Sequence, residues 1–298
     1  MTFTMNDAWS RAVALFRENW QTLLILAGIF VFLPQMVLVL AMPEMMTGSF
    51  AADMNNPGAD PGEQFSQMMS AMSGFFVAYL ILLFVQLIGQ MAMTATAGDR
   101  VSLGQSLSIG MRALPTMLGV LLVGIVGYFV LALVLGLIVG VVIGGGAAAS
   151  GGELSAGLGL IAFVVGIAAF VAILYVASRL SLLLPVVVLH GERNPFAAFA
   201  QSWRLTKPVA WKLVGYYVLL VIAYFVIAIV VSIVFGGAAF LTMQDGPPTD
   251  VLSGGMLVYL VISAILSAVV AALLICIVVA VYDLVAGTAR PEVADTFD

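Results

Sequence analysis

Few residues in this chain interrupt its apolar runs, so those that do can be weighed one by one. Gln86, Gln90 and Thr94 recur every fourth residue inside one such run, and Arg179 and Asp283 lie near the ends of two others. A spacing of four puts Gln86, Gln90 and Thr94 on one face of a helix. In an apolar medium that face either hydrogen-bonds across a packed helix seam or lines a hydrated path for a polar solute. Arg179 carries a permanent charge. It either reaches along its stem to lipid headgroups or pairs with a carboxylate, for which Asp283 is the available partner.

A second constellation is basic and aromatic. The stretch ERNPFAAFAQSWRLTKPVAWKL, residues 192–213, holds Arg193, Arg204, Lys207 and Lys212 together with Trp203 and Trp211, between two apolar runs. The segment NDAWSRAVALFRENW near the N-terminus has the same character, with Trp9, Arg11, Arg17 and Trp20. Chemistry of other kinds has little to stand on. His190 is the only histidine and Cys276 the only cysteine. No cluster of His, Cys and carboxylates has metal-ligand spacing, and no acid, base and nucleophile converge in the sequence. No cofactor is expected, and the sequence reads as that of a non-enzyme. Between 42 and 72 lie Met42, Met45, Met46, Met54, Met68, Met69 and Met72. Thioethers bind Cu(I), but methionine also fills irregular apolar interfaces, and no softer ligand accompanies these.

The elements that must position these residues follow from composition. Of 298 residues, 63% are hydrophobic and 8% charged, with mean hydropathy +1.19. A soluble domain carries roughly 25% charged residues. This chain cannot cover a water-facing surface, and nucleic acid is not an expected partner. Apolar runs near 22–42, 74–97, 114–143, 157–185, 213–241 and 256–282 each reach the roughly 20 helical residues that cross a bilayer core. The expected fold is therefore all-α, a single six-span transmembrane domain over 1–298. A charged amphipathic segment precedes the first run, which is too long for a cleavable signal peptide.

Basic residues set the expected orientation. Arg11 and Arg17 precede the first run; Arg100 and Arg112 lie between the second and third. Arg179, Arg193, Arg204, Lys207 and Lys212 lie at or between the fourth and fifth, and Arg290 follows the sixth. The other loops carry Glu44, Asp53, Asp60, Glu63, Glu153, Asp245 and Asp250. All ten basic residues thus fall on one side, which the positive-inside rule makes cytoplasmic, with both termini.

The loops on that side echo one another. Gly98-Asp99-Arg100, Gly191-Glu192-Arg193 and Gly287-Thr288-Ala289-Arg290 end the even-numbered runs, and Gly-Gln-Ser at 104–106 matches Ala-Gln-Ser at 200–202. The spacing suggests three parallel repeats, 1–97, 98–190 and 191–298, each a short amphipathic helix followed by a two-span hairpin. In the third, Asn194 is suited to cap a helix and Pro195 to begin it. A helical wheel puts Phe196, Phe199, Ala200 and Trp203 on one face and Gln201, Ser202 and Arg204 on the other. In the first, Trp9, Ala12, Val13, Phe16 and Trp20 oppose Asp7, Ser10, Arg11, Arg17 and Glu18. Such helices are expected in the membrane interface, aromatic face toward the acyl chains and basic residues toward headgroups. Trp9, Arg11, Arg17, Arg193, Phe199, Trp203, Arg204, Lys207 and Lys212 are the expected lipid contacts. They serve either simple anchoring or recognition of anionic lipid or of a soluble partner. Gly136, Gly140 and Gly144 form a small-residue ridge, with internal packing as its default use.

NDAWSRAVALFRENWQTLLIL and RLSLLLPVVVLHGERNPFAAFAQSWRLTK, in this six-span layout, resemble the bacterial YciC-like inner-membrane family. They also resemble the related membrane domain found beside some glycerophosphoryl diester phosphodiesterases. The resemblance covers essentially the whole chain and implies a helical bundle of the cytoplasmic membrane. It supplies no catalytic residues, because the attached phosphodiesterase chemistry belongs to a separate domain that this sequence does not contain. The resulting expectation is a non-enzymatic scaffold or an envelope- and lipid-homeostasis protein. Its partners would be membrane lipids and a second copy or another membrane protein. The alternative is a transporter or channel for a small amphiphilic solute.

Overall fold

The computed structural model describes residues 4–41, 61–99, 101–149, 156–236 and 254–287. The described elements are helical throughout, with no strand among them. In chain order they are α1 (Met5–Ala27), a π-helical turn (Gly28–Phe32), α2 (Leu33–Ala41), α3 (Pro61–Asp99), α4 (Leu103–Ala149) and α5 (Ala156–Leu180). There follow α6 (Leu183–Val188), α7 (Pro195–Thr206), a 3-10 turn (Lys207–Val209), α8 (Ala210–Val231), a second π-helical turn (Ser232–Gly236) and α9 (Gly254–Ala286). Six helical runs are long and apolar enough to cross a membrane: Met5–Leu40, Ser73–Asp99, Leu103–Leu137, Gly159–Val188, Pro195–Val234 and Leu257–Ala286.

The expected amphipathic segments are present, but two of the three are not separate helices. α1 runs unbroken from Met5 into the first apolar run, and α4 from Leu103 into the third. Nothing at the junctions breaks a helix, and Pro115 is carried inside α4. Only the third segment is set off, by the 3-10 turn at Lys207–Val209. Pro208 lacks the N–H that would continue the α-helical ladder there. Proline also explains two other irregularities. The π-helical turn at Gly28–Phe32 precedes Pro34, which cannot donate to the carbonyl four residues back. Pro185 would meet the carbonyl of Ser181 in a continuous helix, so α5 stops at Leu180 and α6 begins at Leu183.

Packing divides the chain into two compact units. The first comprises Met1–Met5, Ala113–Leu219 and Val281–Asp298, and the second Asn6–Arg112 and Leu220–Ala280.

In the second unit, small residues set the helix contacts. A Cβ added at Gly89 of α3 would collide with the Phe30 side chain in the π-helical turn. One added at Gly110 of α4 would lie 3.1 Å from the Ile88 carbonyl oxygen of α3. The corner between α3 and α4 is closed by the buried hydroxyls of Thr96 and Ser106, 2.7 Å apart. α9 buries Ala264, Ala268, Ala272, Cys276 and Ala280, a ridge of small side chains at every fourth position that admits close neighbours.

In the first unit, α7 packs against α5 and α6, while α4 meets the loop that leads into α7. A Cβ at Gly119 would collide with the Pro195 ring, and the Thr116 hydroxyl donates to the Arg193 carbonyl at 3.3 Å. Asn194 caps α7 as expected: its Oδ1 accepts from the Phe196 N–H at 3.0 Å, and Pro195 is the first helical residue. Gly191 and Gly287 adopt left-handed backbone, φ +73° and +70°, after the ends of α6 and α9, a conformation with little penalty only for glycine. Gly98, the third glycine of the echo, stays inside α3. Of the expected Gly136, Gly140 and Gly144 ridge, the surroundings of Gly144 lie outside what the structure describes, and Gly136 and Gly140 show no internal packing among the described residues. Nothing among the described residues lies within 4 Å of a Cβ built at either position.

Candidate functional site

The most unusual group in the chain is Arg179, in the last turn of α5 and only 3% exposed. The expectation that it extends freely to the surface is not met. Its guanidinium carbon lies 4.2 Å from the ring centroid of Trp203 on α7 and 5.6 Å from that of Tyr175, one turn earlier on α5. Tyr175 meets Trp203 edge-on at 6.5 Å and Trp211 of α8 at 5.3 Å, so two rings flank the buried cation and a third backs Tyr175. Trp203 remains 41% exposed; it is the outer wall of this box. Arg179 Nε and Nη1 are buried and have no hydrogen-bond partner among the described residues.

Main-chain chemistry fixes where Arg179 sits. Because α5 ends at Leu180, its last carbonyls have no partner within the helix. The Arg179 carbonyl accepts instead from Ser202 Oγ at 2.8 Å and Thr206 Oγ at 3.2 Å, both fully buried on α7. Ser178 and Ser181 turn their hydroxyls to the Tyr175 and Ser178 carbonyls, 2.8 and 2.9 Å away. The end of α5 and the inner face of α7 are thereby tied together, and the tie carries Trp203 over the guanidinium.

The side chain itself is less well compensated. Each buried donor left unmatched costs about 1–3 kcal/mol. A desolvated cation–π contact offsets about 2 kcal/mol. Proximity to a helix C-terminus adds up to about 2 kcal/mol in partly buried geometry. The rings hold Arg179, but they leave its N–H groups unmatched.

The other polar residues of the spans separate. Thr94 is buried and bonds back to the Gln90 carbonyl at 2.8 Å, whereas Gln86 and Gln90 are exposed. The helical face that the sequence defines is therefore split between protein seam and outer surface. Asp283, near the end of α9, has an interaction partner of its own. Among the described residues no three His, Cys, Asp or Glu side chains are grouped to hold a metal ion. Met42, Met45, Met46 and Met54, on which a copper site would depend, lie outside the described residues, as do Arg100 and Arg290.

The first and third amphipathic segments, each taken by itself, present aromatic and basic side chains. Trp9, Trp20, Phe196, Trp203 and Trp211 are exposed, as are Arg17, Arg193, Arg204, Lys207 and Lys212, while Arg11 and Phe199 are half-buried. The faces that pack inward are made of other residues: Ala8, Ala12 and Leu15 on α1, Ser106 and Gly110 on α4, and Ala198, Ser202 and Thr206 on α7. The helical wheel puts Ser202 on the polar face; in the structure it lies in the seam, because its hydroxyl is satisfied there by the Arg179 carbonyl. Tyr175 and Thr206 are the site residues that sequence reasoning missed. Their available signal was the four-residue spacing of Tyr175 with Arg179 and of Ser202 with Thr206.

These features define a class: a helical chain with six helices suited to cross a membrane and amphipathic segments that expose aromatic and basic residues. The profile of the family described as Domain of unknown function (DUF7847) matches residues 7–285, and the chain belongs to that family. No curated protein matches it, and neither does any solved structure.

Proposed function

We propose that this is a non-enzymatic integral protein of the bacterial cytoplasmic membrane that serves as a scaffold in envelope and lipid homeostasis. It would act through lipid and protein contacts, with both termini in the cytoplasm. The observation that carries this reading is the outward face of each amphipathic segment. The amphipathic segments bury small residues and leave Trp9, Trp20, Phe196, Trp203 and Trp211 exposed beside Arg17, Arg204, Lys207 and Lys212. Exposed indoles beside basic side chains suit the boundary between headgroups and acyl chains. The one-sided distribution of Lys and Arg supports the cytoplasmic placement of these segments. The resemblance to the YciC-like family supports the choice of membrane.

Reconstitution tests the reading. Wild-type protein in bilayers containing anionic lipid should melt higher than in purely zwitterionic ones. Proteoliposomes should show no flux of small amphiphilic solutes. Flux together with lipid-independent stability would overturn the scaffold in favour of a transporter.

A further inference from the structure

We propose that Arg179 anchors a binding site for a phosphate-type oxyanion, with the Trp203 indole as its cover. The proposal rests on the membrane placement above and gives the lipid-facing side of α7 a specific ligand chemistry. Three observations meet at one place. Arg179 is a permanent cation, nearly fully buried, with Nε and Nη1 unmatched among the described residues. Each of them shares an edge of the planar guanidinium with Nη2, and such an edge binds phosphate or carboxylate through parallel hydrogen bonds. The group covering them is a half-exposed indole at 4.2 Å, which a change of rotamer would swing aside. α7 does not have to move with it, because Ser202 and Thr206 hold that helix to the Arg179 carbonyl independently of the side chain. Outside the cover, Arg204 and Lys207 are exposed next to Trp203 in sequence and would draw anions toward it. A lipid phosphodiester and a free phosphate share the oxyanion chemistry, and the test separates them.

Wild type, Arg179→Lys, Arg179→Gln, Arg179→Met and Trp203→Phe are purified and checked for monodispersity and helicity. Each is placed in zwitterionic nanodiscs with and without phosphatidylglycerol, and retained lipids are counted by native mass spectrometry. In parallel, inorganic phosphate is titrated in lipid-free detergent while tryptophan fluorescence is followed. Wild type should keep one phosphatidylglycerol that Arg179→Gln and Arg179→Met lose. Arg179→Lys, which keeps the charge without the fork, should hold it about tenfold more weakly. A fluorescence response to phosphate that disappears in both Trp203→Phe and Arg179→Gln assigns the site to free phosphate as well. Lipid retention without that response assigns it to the headgroup. Arg179→Met retaining the same lipids would overturn the proposal and leave Arg179 a cation held by its rings alone. So would loss of all anionic lipid on Arg204→Glu with Lys207→Glu while Arg179→Gln retains it; that result would leave the reading of the amphipathic segments intact. Should the Gln and Met variants fail to fold, wild-type strength of binding in Arg179→Lys would overturn the fork.

Discussion

Arg179 is held at two points that can be perturbed separately, its carbonyl and its guanidinium. The carbonyl depends on two hydroxyls from α7. Ser202→Ala alone leaves Thr206 in place and should have a small effect. Ser202→Ala with Thr206→Val strips both donors and should destabilise by about 1–3 kcal/mol, the cost of an unmatched buried acceptor. Thermal unfolding in detergent would show this, and an unchanged melting temperature in the double variant would mean the carbonyl finds another donor. Gly89 makes a comparable test of close contact. Gly89→Ala drives a methyl group into Phe30 and should cost about 1–3 kcal/mol, as overpacking commonly does. Phe30→Ala in the same chain should recover part of that loss, while Gly124→Ala, which meets nothing within 4 Å, should be neutral or mildly stabilising. Equal effects at the two glycines would mean that helix propensity, and not the Phe30 contact, sets the outcome.

At the scale of the element, α7 has two faces with different duties. Its inner face is small and hydroxylic and ties the helix to α5; its outer face carries Phe196 at 70% exposure together with Trp203 and Arg204. Charge and apolar area should therefore leave different lipid signatures. Arg204→Glu with Lys207→Glu should lower the melting temperature mainly in anionic bilayers, since each basic residue near such a surface contributes about 1 kcal/mol and salt weakens the effect. Trp9→Ala with Trp20→Ala on α1 should destabilise in neutral and anionic bilayers alike, because it removes apolar contact with the interface. Equal losses in both lipids for the charge reversal would show that Arg204 and Lys207 serve pairing within the protein. The 3-10 turn after α7 concerns the same scale. It separates the amphipathic helix from α8 at Pro208; α1 has no proline at that point and runs straight through, while α4 carries Pro115 near the same junction without a break.

For the whole molecule the open quantity is orientation. Single cysteines at Asp53, Glu153 and Asp245 should react with an impermeant thiol reagent applied to intact cells, and cysteines at Gln105 and Gln201 should not. Cys276 is buried and should add little background. Labelling of the second pair in sealed cells would reverse the assignment. Purified protein should hydrolyse no glycerophosphodiester, with or without divalent metal. Turnover that survives further purification and is lost on a point substitution would make the chain an enzyme.

Some of this could be read without coordinates, for a physical reason. The six crossing helices follow from run length and apolarity, because bilayer thickness and the need to pair every backbone amide leave few alternatives. The cap of α7 could be read too, since Asn194-Pro195 acts locally. The direction in which each helix faces could not. In water, apolar periodicity separates the inside from the outside; in lipid both sides are apolar, and packing instead selects small residues for the inside. That is why the aromatic stripe of α7 faces out while Ala198, Ser202 and Thr206 face in. It is also why the ridge that packs is Ala264 to Ala280, and not the glycines at 136 and 140. The burial of Arg179 was decided the same way. Its place near the end of an apolar run is a property of the chain, but its enclosure by Tyr175 and Trp203 depends on residues 4 and 24 positions away. They meet only because Pro185 stops α5 and frees a carbonyl for α7 to bind.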